Sequence, residues 1–171
     1  MKEVIIKKTG KKGKGLFANK DFKEGKLIFH HDKSKLRKYS SDEISKMPDN
    51  DHADYVGHGK YIIDFHPCSY MNHSCDPNTI VKMKSILESN IYALRNIKKG
   101  EELTHDYSLT AVDQIDNKDG WMMDCNCGSK NCRKKIIGDF FKLPVSTQRK
   151  YYKYLPYSIK IKYKERINKL K

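Results

Sequence analysis

The chain reads as a mostly β or α+β domain. Three observations predict this: short apolar, β-branched segments recur along its length, glycine- and lysine-bearing turns separate them, and helix signals are few. Its 171 residues have the size of one domain that can bury its own core.

Residues 4–7 and 27–30 are apolar and β-branched enough for strands, and Gly10-Lys11-Lys12-Gly13-Lys14-Gly15 between them reads as a glycine-rich loop. Ser40 followed three residues later by Glu43 makes a capping box, which predicts a short helix over 41–47. Residues 61–64, 79–83, 91–94 and 102–107 read as further strands, and the turn Lys98-Lys99-Gly100-Glu101 separates the last two. Residues 157–163 alternate like a strand, yet Ile159, Tyr163, Ile167 and Leu170 fall on one helical stripe. The lysine, arginine, glutamate and leucine content favours a helix from Tyr157. No repeat and no Pro/Ser-rich linker interrupts the chain.

Lys and Arg total 35 against 21 Asp and Glu, a net charge of +14 that favours acidic partners. The excess gathers at the end: Arg149, Lys150, Lys153, Lys160, Lys162, Lys164, Arg166, Lys169 and Lys171 face only Glu165. Such a tail either docks on nucleic acid or forms a solvated helix face. No apolar run approaches the roughly 20 residues of a membrane span, and the start is too quickly polar for a signal peptide. The expectation is a chain that stays inside the cell, with no membrane partner, whose five cysteines serve something other than disulfides.

Cys125-Asn126-Cys127-Gly128-Ser129-Lys130-Asn131-Cys132 sets three thiols within eight positions, a spacing that points to a metal, with zinc favoured by thiolates. Three ligands do not close a tetrahedron. The fourth comes from Cys75, Cys68 or a histidine.

Four segments share one family pattern. Asn72-His73-Ser74-Cys75-Asp76-Pro77-Asn78 matches the NHSCxPN signature of SET-domain methyltransferases, and Gly100 to Tyr107 resembles their GEELxxDY segment. Lys12-Gly13-Lys14-Gly15-Leu16-Phe17-Ala18 resembles their KGxGLFA loop, and the run from Cys125 resembles the post-SET motif CxCGxxxCR. All four occur in the family's order, so the resemblance covers roughly residues 4–141.

The resemblance implies a SET fold of small curved sheets, pseudoknotted so that residues 72–75 lie beside 102–107. It divides the matched part into a SET domain (1–110) and a post-SET zinc segment (111–138), beyond which the residues themselves mark a basic, helical C-terminal extension (139–171). It also implies methyl transfer from S-adenosylmethionine to the ε-amine of a lysine on a histone-like or other basic protein. Tyr107 matches the catalytic tyrosine, next to the transferring methyl. Gly13, Lys14, Gly15, Leu16, Phe17, Asn72 and His73 match cofactor-holding positions. Cys75 joins Cys125, Cys127 and Cys132 in one closed structural zinc site, which leaves Cys68 as a buried thiol. His105 stands where relatives carry Phe or Tyr, a position associated with how many methyl groups the channel admits. His31 falls near a channel-lining tyrosine. The acidic residues Asp42, Glu43, Asp49, Asp51 and Asp54 lie in an insert that helps shape the substrate groove in relatives. The competing reading is a non-catalytic zinc module that binds nucleic acid or chromatin through the basic tail; intact Tyr107 and Asn72 argue against it.

Overall fold

The computed structural model describes residues 3–10, 13–118 and 120–171, and for Asp51 the backbone alone. Lys11 and Lys12 of the glycine-rich loop, and the acidic side chain of Asp51, therefore lie outside the described residues. In chain order the strands and helices are β1 (Val4–Lys8), β2 (Lys14–Ala18), β3 (Leu27–Asp32), β4 (Tyr39–Ser40), α1 (Ser41–Ser45), β5 (Ala53–Tyr55), β6 (Lys60–Ile63), β7 (Asn72–His73), β8 (Thr79–Met83), β9 (Glu88–Ala93), β10 (Glu102–His105), β11 (Met122–Asp124), β12 (Lys135–Ile137), α2 (Val145–Tyr151), α3 (Tyr157–Lys162) and α4 (Lys164–Asn168). Small sheets dominate and helices gather at the C-terminal end, as a mostly β reading requires.

Strands form four sheets with orders β1-β2-β10-β7, β3-β9-β8, β4-β6-β5 and β11-β12. The first sheet carries the motifs. Its β1 and β2 form a hairpin in register from Val4 opposite Ala18 to Lys8 opposite Lys14. Part of the expected glycine-rich loop is thus strand. The turn itself is short: the Thr9 N–H donates to the Gly13 carbonyl at 2.8 Å, and Gly13 has φ 73°. Strand β10 enters beside β2 antiparallel, with Leu103 opposite Leu16, and takes β7 on its other edge in parallel, with His105 opposite His73. This pairing sets residues 72–75 against 102–107, the juxtaposition that the resemblance implies.

The capping box forms as expected: Glu43 N–H donates to the Ser40 hydroxyl at 3.2 Å and Ser40 N–H to the Glu43 carboxylate at 2.6 Å. The helix it starts stops at Ser45, two residues short of the expected end.

Among the described residues, two large apolar cores carry the fold, with a smaller cluster around Cys75, Cys125 and Ile136. One gathers Leu16, Phe22, Met71, Ile91, Ile97 and Leu103 between the first two sheets. The other gathers Ile80, Leu109, Phe140, Tyr151, Leu155, Ile167 and Leu170. The C-terminal stripe is therefore real: Ile167 and Leu170 are buried, and Ile159 and Tyr163 pack against the same cluster. The expected single helix is broken at Tyr163, whose backbone leaves helical geometry at φ −112°, ψ 31°. Its ring packs on Phe141 at 5.2 Å, and Arg166 lies over Phe141 at 4.0 Å while pairing with Asp116. Tertiary contacts at the break override helix propensity.

Candidate functional site

Four sulfurs converge where the NHSC segment meets the cysteine triplet. The Sγ atoms of Cys75, Cys125, Cys127 and Cys132 all lie within 4.8 Å of one another, with Cys75–Cys125 at 3.6 Å and Cys132–Cys125 at 3.7 Å. A tetrahedral ion with Zn–S of about 2.3 Å needs sulfurs about 3.8 Å apart, so this set fits zinc. Of the three candidates for the fourth ligand, the fold selects Cys75. Donors already point at the sulfurs: Cys75 N–H to Cys127 at 3.5 Å, Arg133 N–H to Cys75 at 3.4 Å, and the Ser129 hydroxyl 3.2 Å from Cys127. Burial opposes a charge on Cys127, but these donors outweigh it and lower its thiol to about 6. Such outer partners are what a set of thiolates requires.

His73 links this cluster to Tyr107. Its Nδ1 accepts the Tyr107 N–H at 3.2 Å, which leaves the proton on Nε2, 3.3 Å from the Cys75 sulfur. Asp106 lies 3.5 Å from the same Nδ1, but its oxygens are taken by Arg133, through Nη1 at 2.7 Å and Nη2 at 2.8 Å. Asp106 is 1% exposed, so this bidentate pair is a buried one. Sequence reasoning missed both Asp106 and Arg133. Both sit inside the matched segments, one beside Tyr107 and one after Cys132, and that adjacency was the available signal.

Tyr107 donates its hydroxyl proton to the Met71 carbonyl at 3.1 Å. Burial raises its phenol above the ordinary value. The His105 ring stands 4.8 Å from the Tyr107 ring. Part of His105 borders the cleft described below, yet its Nδ1 is sealed from solvent and has no hydrogen-bond partner. Burial lowers this imidazole to about 4, so it is neutral at neutral pH.

The glycine loop meets the other side of the β7–β10 junction. Asn72 Nδ2 donates to the Lys14 carbonyl at 3.1 Å and to Glu102 Oε1 at 2.7 Å. A Cβ on Gly15 would stand 2.5 Å from Thr9 Cγ2, 2.7 Å from Glu102 Oε1 and 2.9 Å from Asn72 Nδ2. Only glycine lets the loop press this closely on Asn72. Gly13 and Lys14 are exposed and Phe17 half-buried, so a ligand can reach them. The Leu16 side chain is 0% exposed in the first core, and it anchors the loop from beneath. His73 likewise serves the interior through its ring, so any contact of these two with a ligand falls to the backbone. The Lys14 ammonium lies over the Tyr70 ring at 5.8 Å, and the Glu102 carboxylate is held by Asn72.

Tyr107, His105 and Met71 form part of the wall of a cleft of about 1020 Å3. His31 also lines it. The acidic insert contributes less than expected. Of the acids described there, only Asp54 borders this cleft, and Lys33 answers its charge at 2.6 Å. Glu43 is spent on the helix cap, and Asp49 borders a separate hollow with Phe65 and Ile63. No helix among the described residues is long and apolar enough to cross a membrane.

A model of the SET domain family matches residues 13–108. The histone-lysine N-methyltransferase trithorax of Drosophila virilis is 31% identical over 139 residues, which cover 72% of this chain and 3% of that protein. Human histone-lysine N-methyltransferase 2B is 30% identical over 71% of this chain and 5% of its own length. Histone-lysine N-methyltransferase ASHH3 of Arabidopsis thaliana is 29% identical over 80% of this chain and 39% of its own. The chain thus spans a small share of the relatives that it matches.

Proposed function

Since the chain belongs to the SET domain family, we propose that it is a protein-lysine N-methyltransferase, moving a methyl group from S-adenosylmethionine to the ε-amine of a lysine on a histone-like or other basic protein. The observation that carries this reading is the position of Tyr107. It lines the cleft, and its N–H donates to His73, the strand neighbour of Asn72. On this reading a lysine in the cleft and a cofactor at the glycine loop share it.

When bound, S-adenosylmethionine supplies a methyl group already activated by its sulfonium charge. Gly13, Lys14, Gly15, Phe17, Asn72 and the His73 backbone would hold it, with Leu16 fixing the loop beneath. The chain's own residues must deliver a neutral amine. A free lysine is neutral in only about one copy in 2,500 at pH 7. Met71, Val81 and Ile91 give the cleft an apolar wall that favours the neutral form. His105, at about 4, is too weak a base to take the proton at neutral pH. Tyr107, its proton held by the Met71 carbonyl, keeps an oxygen lone pair for the amine and aligns it. The thiolates of Cys75, Cys125, Cys127 and Cys132 would hold one structural zinc that fixes segment 111–138 against the domain of residues 1–110. The decisive experiment incubates the protein with methyl-labelled cofactor and a lysine-rich histone-like substrate. Mass spectrometry should find label on lysine; cofactor binding without any transfer would leave a methyltransferase fold that has lost turnover, and no cofactor binding would leave the non-catalytic module.

A second reading concerns residues 139–171, which we take as a recruiting surface for nucleic acid. Lys162, Lys164, Lys169 and Lys171 are exposed, on the face away from the packed stripe. Reversing Lys162, Lys164 and Lys171 to Glu should flatten the salt dependence of duplex DNA binding, the slope falling by roughly one for each phosphate left unneutralised. An unchanged slope would remove nucleic acid from the reading.

A further inference from the structure

Apart from the four-cysteine set, one other group of metal-ligating side chains converges among the described residues: His31, His66 and Cys68, whose ligand atoms lie within 4.8 Å of one another. The Cys68 sulfur is 2.9 Å from His66 Nδ1 and 3.1 Å from His31 Nδ1. The two imidazoles stack at 4.4 Å with 18° between their planes, and both Nδ1 atoms lie within 3.1 Å of the one sulfur.

With both imidazoles neutral, the proton inventory of this group does not close with a thiol alone. Asp64 Oδ2 lies 3.2 Å from His31 Nε2 and takes its N–H, which leaves Nδ1 with a lone pair facing the sulfur. His66 Nδ1 also presents a lone pair, since the Cys68 N–H points at it from 3.3 Å. A thiol has one hydrogen and can donate to only one of these acceptors. The other contact sets lone pair against lone pair. A cation at the centre satisfies all three atoms together.

We propose that His31, His66 and Cys68 form a second metal site, taking a zinc-class divalent cation in the wall of the cleft, with a fourth position open to the cleft. Two imidazoles and a thiolate select zinc and its transition-metal neighbours over magnesium or calcium. A tetrahedral zinc with bonds of about 2.0 Å to nitrogen and about 2.3 Å to sulfur needs N···S separations of about 3.5 Å, so the sulfur retreats by about half an ångström on binding. The thiol proton goes to solvent as the ion enters, and the ion replaces the Cys68 N–H at His66 Nδ1. Asp64 stays on His31 Nε2 as the outer carboxylate that orients a ligating histidine, and it is itself held by the His66 N–H at 2.9 Å. Unlike the closed four-thiolate set, three protein ligands leave room for a water or a side chain from the cleft that His31 and Cys68 border. This site does not depend on methyl transfer.

The test uses protein already holding zinc at its four cysteines, titrated with Co2+ and, separately, with Zn2+ against a chromophoric chelator. A second equivalent should bind, and Co2+ there should show a thiolate-to-cobalt charge-transfer band. The near-isosteric Cys68→Ser should abolish the band, and His66→Gln should weaken the second equivalent by about tenfold or more, with the first equivalent retained. Alkylation of Cys68 in the unaltered protein gives a readout that needs no variant, because added zinc should slow it. Uptake of only one equivalent, a second equivalent indifferent to both substitutions, or alkylation of Cys68 unaffected by zinc would each overturn the site.

Discussion

The Tyr107 hydroxyl donates to the Met71 carbonyl, so its direction is set before any substrate arrives. Replacing Tyr107 with Phe removes one polar contact and leaves the ring's packing in place. Turnover should fall about a hundredfold, with fold and cofactor affinity kept, as the loss of one group acting in the transition state predicts. Comparing kcat with cofactor affinity measures this, and wild-type turnover would misplace the role. His105 makes a different prediction, in stability. Its folded pKa of about 4 lies below the unfolded value near 6.5, so the unfolded chain binds the extra proton between those two values. The stability contribution of the neutral imidazole is fully present above pH 6.5 and is lost as pH falls toward 4. Between pH 6.5 and 5 the loss should be on the order of 1–2 kcal/mol. His105→Phe should erase that part of the pH dependence, which denaturant titrations at pH 7, 6 and 5 would read. A parallel fall in both proteins would assign it to other groups.

At the scale of elements, β2 is the segment on which the site rests. Gly15→Ala places a Cβ against Thr9, Glu102 and Asn72 at 2.5–2.9 Å. The expected cost is about 1–3 kcal/mol of overpacking strain, with weakened cofactor binding because Asn72 must move. Thermal melts and cofactor calorimetry together check it; an unchanged melt would show that the Glu102 and Asn72 tips yield freely. The same strand explains why part of the fold was illegible. Residues 14–18 hold a glycine and no alternation, and they become strand only because β1 and β10 pair on both edges. Thr79 to Met83, in contrast, declares itself through its own residues, and its bounds match expectation. The bounds of helix α2 are not marked in the sequence because its anchor is polar: Gln148 Nε2 donates to the Phe141 and Leu143 carbonyls at 3.1 and 2.7 Å while Val145 stays exposed. In the site, Cys75, Asn72 and Tyr107 were legible because contiguous motifs name them. The His31–His66–Cys68 convergence was not, because strand β3 and a distant turn meet only in three dimensions.

Across the whole molecule, the four-cysteine cluster joins Cys75 to a segment fifty residues later, and the Asp106–Arg133 pair ties the same segment to β10. Chelation should therefore loosen residues 111–138 and abolish activity, since metal affinity is folding energy for that segment. Hydrogen exchange before and after chelator would show the change there first, while β3, β8 and β9 stay protected. Uniform protection would mean that the cysteines contribute nothing to order.

The sheet order β1-β2-β10-β7 also has a temporal meaning. A ribosome delivers β2 and β7 well before β10, the strand that must lie between them. Until Glu102–His105 emerges, each nascent chain carries two open strand edges with no partner, one on β2 and one on β7. Unpaired edges recruit other chains, so slow translation through residues 74–101 lengthens the interval in which neighbouring copies can aggregate. Birth of this protein is safest when that stretch is read quickly or when a chaperone guards the gap.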